Sequence, residues 1–416
     1  MRPLKPCHPT RLCRFCSGGS VKRRDFIAAA AAIALPALGS SEAIAAPANN
    51  KKKPAAKPAA KKPASAAKPA AAPAQANETR VAAASLPDEP ASRWRTYDLT
   101  TRIEIKRPAG ISRLWLPLAM FKDTPWQRAL GHTWQGNFER AGIYRDPAAE
   151  MEVFTAEWRE GVTPQLELVS KVETQDRHFD VTKKHCAPER GDILRRNLRS
   201  TELMPLNDKT REIAERIVGR VKDPVAQGKA IYDWVAERAL RDPETPALSA
   251  GGIDTPQQLA NAIGRNAGHA LLFVALSRAV GLPARPVFGL RCDYSKIFPS
   301  LGATGELNRA FHCRAEFYAP GYDWIPVNPA DLRQAVLEEK LSPDDGKLAV
   351  LKKLQFGFWE MNWIGLNTAL EVIPRDSKGN AIPFLATPYV ETADGVLDTT
   401  DAERYAVSIR ASRTDS

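Results

Sequence analysis

The sequence predicts an α+β protein in which a small antiparallel β-domain precedes a core that is helical first and stranded afterwards. Three observations point there. From Arg93 to about Asp180, short runs alternate apolar and polar residues between turn residues. From Pro205 the apolar spacing lengthens to that of helices. Beyond Gly281-Leu282-Pro283 it returns to the spacing of strands.

The chain has 416 residues, enough for two or three domains. Its formal charge of +11 is unevenly placed: residues 1–80 hold 15 of the 59 Lys and Arg but 3 of the 48 Asp and Glu. The remainder carries 44 basic and 45 acidic residues and is electrically balanced. A nucleic-acid-binding fold would concentrate positive charge on itself, so no nucleic-acid partner is expected.

Residues 1–45 read as an export leader. Lys22-Arg23-Arg24-Asp25-Phe26-Ile27 precedes an Ala-rich apolar run to Leu38, and Ala43-Ile44-Ala45 offers a cleavage site. A twin arginine followed closely by Phe resembles a Tat signal. The run is shorter than the ~20 residues a membrane span needs. The expectation is an exported, periplasmic protein that meets the membrane only during export. Cys13 and Cys16 have CxxC spacing but lie inside this leader, with no second pair to complete a metal site. Residues 46–88 are mainly Ala, Pro and Lys with little material for a core, and read as an extended, self-repelling linker.

Residues 89–190 form the expected β-domain, with strand candidates in TYDLTTRIEIKR, SRLWLPLAM, MEVFTAEWRE and LELVSKVETQ. Its tryptophans, Trp94, Trp115, Trp126, Trp134 and Trp158, fit a core better than a glycan-binding groove. Residues 200–396 form the second expected domain, and 397–416 a C-terminal tail. Helices are expected over Lys209–Val218 and Pro224–Ala239, the latter opened by Asp223-Pro224. A Gly-rich loop at 249–252 and a short helix after Thr255-Pro256 lead to a helix over Asn266–Val280, stopped by Gly281. Strands are expected over Arg285–Arg291, Ala310–Tyr318 and Trp324–Val327.

Two segments carry a resemblance. GRNAGHALLFVALSRAVGLPAR (264–285) and HCRAEFYAPGYDWIPVNPADLRQ (312–334) resemble the core motifs of the transglutaminase-like superfamily, and IYDWVAERAL and FGFWEMNWIGLN fit the same family. The resemblance covers about residues 205–395 and implies a papain-like α+β core. It places the family's nucleophilic Cys, its His and its Asp at Asn266, His312 and Asn328. In such a site a thiolate at a helix N-terminus attacks a carbonyl and an imidazole moves the proton. A third polar residue holds the imidazole. Asn328 can still accept from it, since Cys-His-Asn sites are established. Asn266 cannot replace the thiol, because its amide nitrogen is delocalised into the carbonyl; as a helix N-cap it has a structural reason to be there.

The reading that follows is an exported, catalytically degenerate domain, needing no cofactor, whose former active-site cleft binds a peptide or peptidoglycan-type ligand through His269 and Trp324. An active amidase, peptidase or transglutaminase using Cys292 or a bound metal with His312 is the alternative. Asn266, His269 and His312 would then need a further ligand such as Asp254 or Cys292. Ser277 lies about 16 Å along the helix from its start at 1.5 Å per residue, too far to substitute. Cys313 adjoins His312 on a strand and should face away from it, whereas Cys292 could reach the cleft edge or pair with Cys313. A third possibility is an envelope scaffold acting through the β-domain. The residues leave the oligomeric state open.

Overall fold

The computed structural model describes residues 93–180, 182, 184–241 and 264–414, excluding the side chains of 264–266. The expected leader, linker, Gly-rich loop and short helix, together with Asp254, lie outside the described residues.

Two antiparallel sheets form a sandwich. One has the strand order β15-β1-β6-β3 and the other β14-β13-β2-β5-β4. The strands are β1 (Arg95–Ile105), β2 (Ser112–Pro117), β3 (Gln127–Gly136), β4 (Arg140–Asp146), β5 (Met151–Trp158) and β6 (Gln165–Thr174), with β13 (Tyr389–Thr392), β14 (Gly395–Val396) and β15 (Tyr405–Arg413) from the other end of the chain. Alternation in β1 and β6 buries Ile103, Ile105, Leu166 and Leu168 against Leu114, Phe154 and Trp158. Trp115, Trp126 and Trp158 are buried as expected, while Trp134 stays 39% exposed at the edge strand and tilts against Phe154.

The 397–416 segment is not a tail. Nine consecutive residues of β15 pair with β1, from Tyr97 opposite Arg413 to Ile105 opposite Tyr405. The β-domain is therefore assembled from both ends of the folded chain. The sandwich and the core also share an interior, so the described residues belong to one compact unit. Gln127 exchanges two hydrogen bonds with the backbone of Gly365, at 2.8 and 2.7 Å, and Trp126 packs on Trp359 and Trp363.

The core follows after β7 (Arg177–His178) and α1 (Gly191–Arg196). Helix α2 (Asp208–Val218) is capped by the Asn207 side chain, which accepts from Thr210 N–H, and stops at Gly219 in the left-handed region. Helix α3 (Pro224–Arg241) starts where Asp223 accepts from Ala226 N–H. Helix α4 (Gly264–Ala279) is the central element: residues 270–276 are fully buried, the pattern of a helix enclosed on all sides. It ends at Gly281, φ 82°, where Leu282 N–H returns to the Ser277 carbonyl.

Behind α4 lies a four-stranded antiparallel sheet of order β10-β9-β8-β12, made of β8 (Ala284–Arg291), β9 (Phe311–Ala319), β10 (Asp323–Val327) and β12 (Trp363–Asn367). Helices α5 (Ala330–Glu338) and α6 (Gly346–Leu354) follow β10, and β11 (Phe358–Trp359) pairs with β7. Strand alternation divides β9 cleanly. Cys313, Ala315, Phe317 and Ala319 join the α4 core, whereas His312, Arg314 and Glu316 occupy the opposite face.

Gly289, paired with His312, sits where a Cβ would meet the Ile364 carbonyl oxygen and the Trp363 ring, each at 2.4 Å. Neither neighbour can give way, so Gly289→Ala is expected to cost about 1–3 kcal/mol. The midpoint of urea unfolding measures this, and an unchanged midpoint would contradict the packing described.

Candidate functional site

The site is built where three elements meet. Strand β9 supplies His312 near its start, the residue after β10 is Asn328, and the first turn of α5 carries Asp331. Their burial is nearly complete: His312 is 6% exposed, Asp331 2% and Asn328 0%.

His312 Nε2 has two acceptors, Asp331 Oδ1 at 3.0 Å and Asn328 Oδ1 at 3.3 Å, so the proton of the neutral ring belongs on Nε2. Nδ1 faces Arg291 Nη2 at 3.5 Å. Arg291 also donates to Asp331 Oδ1 at 2.7 Å, to Gln334 Oε1 at 2.9 Å and to the Leu301 carbonyl. Gln355 donates to the other oxygen of Asp331 at 3.0 Å. Burial first, and then Arg291, bring His312 down to about 4, against the upward pull of Asp331. Burial would raise Asp331, yet Arg291 and His312 hold it well below the usual carboxylate range.

The imidazole is thus neutral near pH 7, with Nε2 engaged as a donor and Nδ1 beside a guanidinium whose Nη2 hydrogens go to Asp331 and Gln334. A general base must offer a lone pair to the proton it removes. Here the Nδ1 lone pair faces a guanidinium and Nε2 is already a donor.

The other expected site residues lie on α4 and β10. Asn266 lies in the third helical position of α4, which begins at Gly264, and so is not the N-cap expected from sequence. His269, one turn on, is 1% exposed, and its Nδ1 has no hydrogen-bond partner. Burial, followed by nearby Arg333, lowers it to about 4. Among the described residues no hydrogen bond or ion pair joins it to His312.

Trp324 belongs elsewhere. It pairs with Tyr318, six residues along β9 from His312, or about 20 Å at the rise of a strand. Its indole donates to Glu189 at 3.0 Å and carries Arg285 on its face at 4.0 Å. Arg285 and Arg177 share Glu316 at 2.5 and 2.6 Å, a satisfied buried ion cluster.

The thiols are also accounted for. Cys292 is buried with Tyr97, Leu290, Leu307 and Ile364 between the core sheet and β1, not at the imidazole. Cys313 faces α4, away from His312, as strand alternation requires. Both are free thiols, so the Cys292–Cys313 bridge weighed from sequence is absent, and burial pushes both thiols up, away from reactivity. Among the described residues no three His, Cys, Asp or Glu are placed to hold a metal.

Sequence reasoning missed Asp331 and Arg291 as partners of the imidazole. Asp331 stands three residues beyond Asn328 at the start of a helix, a visible signal that it returns to the same neighbourhood. Arg291 is four residues from the centre of its strand, with nothing local to mark it.

Residues 211–329 match the model of the transglutaminase-like superfamily, and the chain carries a transglutaminase-like domain with the mixed α+β, papain-like core. An uncharacterized protein of Haemophilus influenzae is 28% identical over 334 residues, spanning 75% of this chain and 88% of its own. Among solved structures, a candidate cysteine protease from Cytophaga hutchinsonii shares 14% identity with a TM-score of 0.44, covering 78% of this chain and 92% of that one. The periplasmic domain of TgpA from Pseudomonas aeruginosa shares 18% identity with a TM-score of 0.28, covering 58% and 92%.

The lowered histidines set a pH dependence. Between about 4 and 6.5 an unfolded chain binds protons at His269 and His312 that the folded chain does not, so stability rises with pH across that window and is complete above it. The loss on acidification should reach a few kcal/mol for the two together. Urea midpoints at pH 7 and pH 4.5 check this, and His312→Gln should flatten the slope. An imidazole NMR titration placing His312 near 6.5 would contradict the burial argument.

Proposed function

We propose that this chain, which carries a transglutaminase-like domain, is an exported protein without acyl-transfer activity that binds a peptide or peptidoglycan-type ligand of the cell envelope where the catalytic cleft of such a domain would lie. One observation carries the reading: the position that the family resemblance gives to the nucleophilic thiol holds Asn266, beside an imidazole that burial keeps neutral. Acyl transfer needs a thiolate to form the acyl-enzyme and a base to take its proton. A carboxamide supplies no nucleophile, and a buried imidazole lowered to about 4 is a weak base.

Export rests on the twin-arginine leader and the cleavage-type Ala43-Ile44-Ala45. The peptide ligand is the natural remainder of the fold's role once chemistry is removed: a scaffold built to hold an extended chain, without the atom that attacks it. The buried positions of Cys292 and Cys313 give the alternative nucleophiles no support.

The test is incubation of the purified chain with amide and ester probes and an amine donor, followed by mass spectrometry for acyl adducts. No turnover is expected. Turnover abolished by His312→Ala would overturn the reading.

Asn266→Cys with Asn328→Asp provides the complementary measurement. The introduced thiol should titrate and alkylate, yet give no acyl-enzyme burst, because burial and the nearby Arg291 charge keep His312 a weak base. A burst would show the imidazole free to act as base. Binding is checked by calorimetry against stem-type peptides; heats indistinguishable from dilution would remove the ligand assignment.

A further inference from the structure

Arg314 is 1% exposed and among the largest fully buried side chains, yet it has no ion pair among the described residues. The neighbouring strand arginines are paired: Arg285 with Glu316 at 2.5 Å, and Arg291 with Asp331 at 2.7 Å. Arg314 has only a neutral contact of this kind, Nη1 donating to the Glu360 backbone carbonyl at 3.0 Å. The carboxylate of Glu360 is turned to Ser295 Oγ and Lys296 N–H, both at 2.6 Å. The guanidinium is stacked on Trp363 at 4.6 Å, with Trp359 at 5.7 Å. Burial works against this cation, and the Asp331 and Glu360 carboxylates, with which it forms no ion pair, and the two indoles oppose that only in part.

Its surroundings hold further unmet donors. Arg314 Nε, Asn328 Nδ2 and Trp363 Nε1 are all buried without a hydrogen-bond partner. Trp363 lies on the guanidinium. The β10–β9 register ends at Val327 opposite Ala315, which puts Asn328 across from Arg314 on the same face. His312 is two residues away on that face. One fixed positive charge and three unused N–H groups make a receptor for a negative charge.

We propose that Arg314, Asn328 and Trp363 form a buried monoanion site beside His312, whose donors suit a carboxylate. This deepens the binding role proposed above, and rests on it only in assigning the natural carboxylate to a peptide; anion binding itself rests on the buried donors of Arg314, Asn328 and Trp363. It also gives Asn328 a second role: its oxygen holds the imidazole while its N–H₂ faces the anion, a donor the family's Asp could not provide. Two unpartnered acceptors, Gln355 Oε1 and Asn362 Oδ1, lie in the same buried region, so water alone is the competing occupant.

The experiment is thermal unfolding of the full chain against sodium acetate, repeated on Arg314→Met and on Trp363→Phe. In the wild type, acetate should raise Tm saturably; in Arg314→Met the shift should vanish, and in Trp363→Phe the apparent affinity should fall about 3–10-fold, as for one lost hydrogen bond. Without anion, Arg314→Met should melt at or above the wild type, because an unpaired buried charge has been removed. No acetate-dependent shift would mean that water fills the site, and a shift surviving in Arg314→Met would mean surface screening; either overturns the proposal. A large acetate-independent fall in Tm for Arg314→Met would make the arginine structural and overturn it too. Acetyl-Ala-Ala with a free carboxylate should bind at least tenfold tighter than its amide. Equal binding of the two would overturn the peptide assignment, while the turnover assay above separately tests catalytic silence.

Discussion

A single buried carboxylate, that of Asp331, organises the centre of this molecule. It accepts from Arg291, His312 and Gln355, and so ties the start of α5 to β8, to β9 and to the segment after α6. Each partner is buried, and without the carboxylate Gln355 would lose its acceptor and Arg291 its counter-charge. This geometry also explains why a neutral residue is well placed at 328. An Asp there would bring a second negative charge to the same imidazole nitrogen, whereas an amide contributes an acceptor without repulsion.

The burial that packs the cluster, together with the Arg291 charge, also lowers the basicity of its imidazole. An imidazole able to shuttle protons near neutral pH needs a titrating ring and one unengaged nitrogen. In this fold the ring is desolvated, held on one side by Asp331 and Asn328 and faced on the other by Arg291. Arg314, on the same strand face, adds a positive charge where acid–base work would favour a poised neutral environment.

How much of this could be read in advance depended on how local each signal was. Helix α4 was legible because its apolar run and Gly281 stop are contiguous, and the β9–β10 hairpin because its strands are joined by a short turn. The third helical position of Asn266 departed from expectation by two residues, the ordinary uncertainty of a helix start. Strands β3 and β4 escaped because their exposed, irregular pattern, with a bulge at Gly131, lacks clean alternation. Cys292 was ambiguous because its neighbours, Tyr97 and Ile364, come from strands far away in sequence. Trp324 carries the family's aromatic position but points into the Arg285–Glu316 cluster, and no local pattern distinguishes that from a ligand-facing ring.

Strand β15 has a consequence for how the protein is made. Its partner β1 leaves the ribosome some three hundred residues earlier, so the first sheet of the fold waits for the last one to be synthesised. Until then β1 offers an unpaired edge to any passing strand. Pairing with β15 removes that edge, so a chain lacking β15 would carry an open seam on the sandwich.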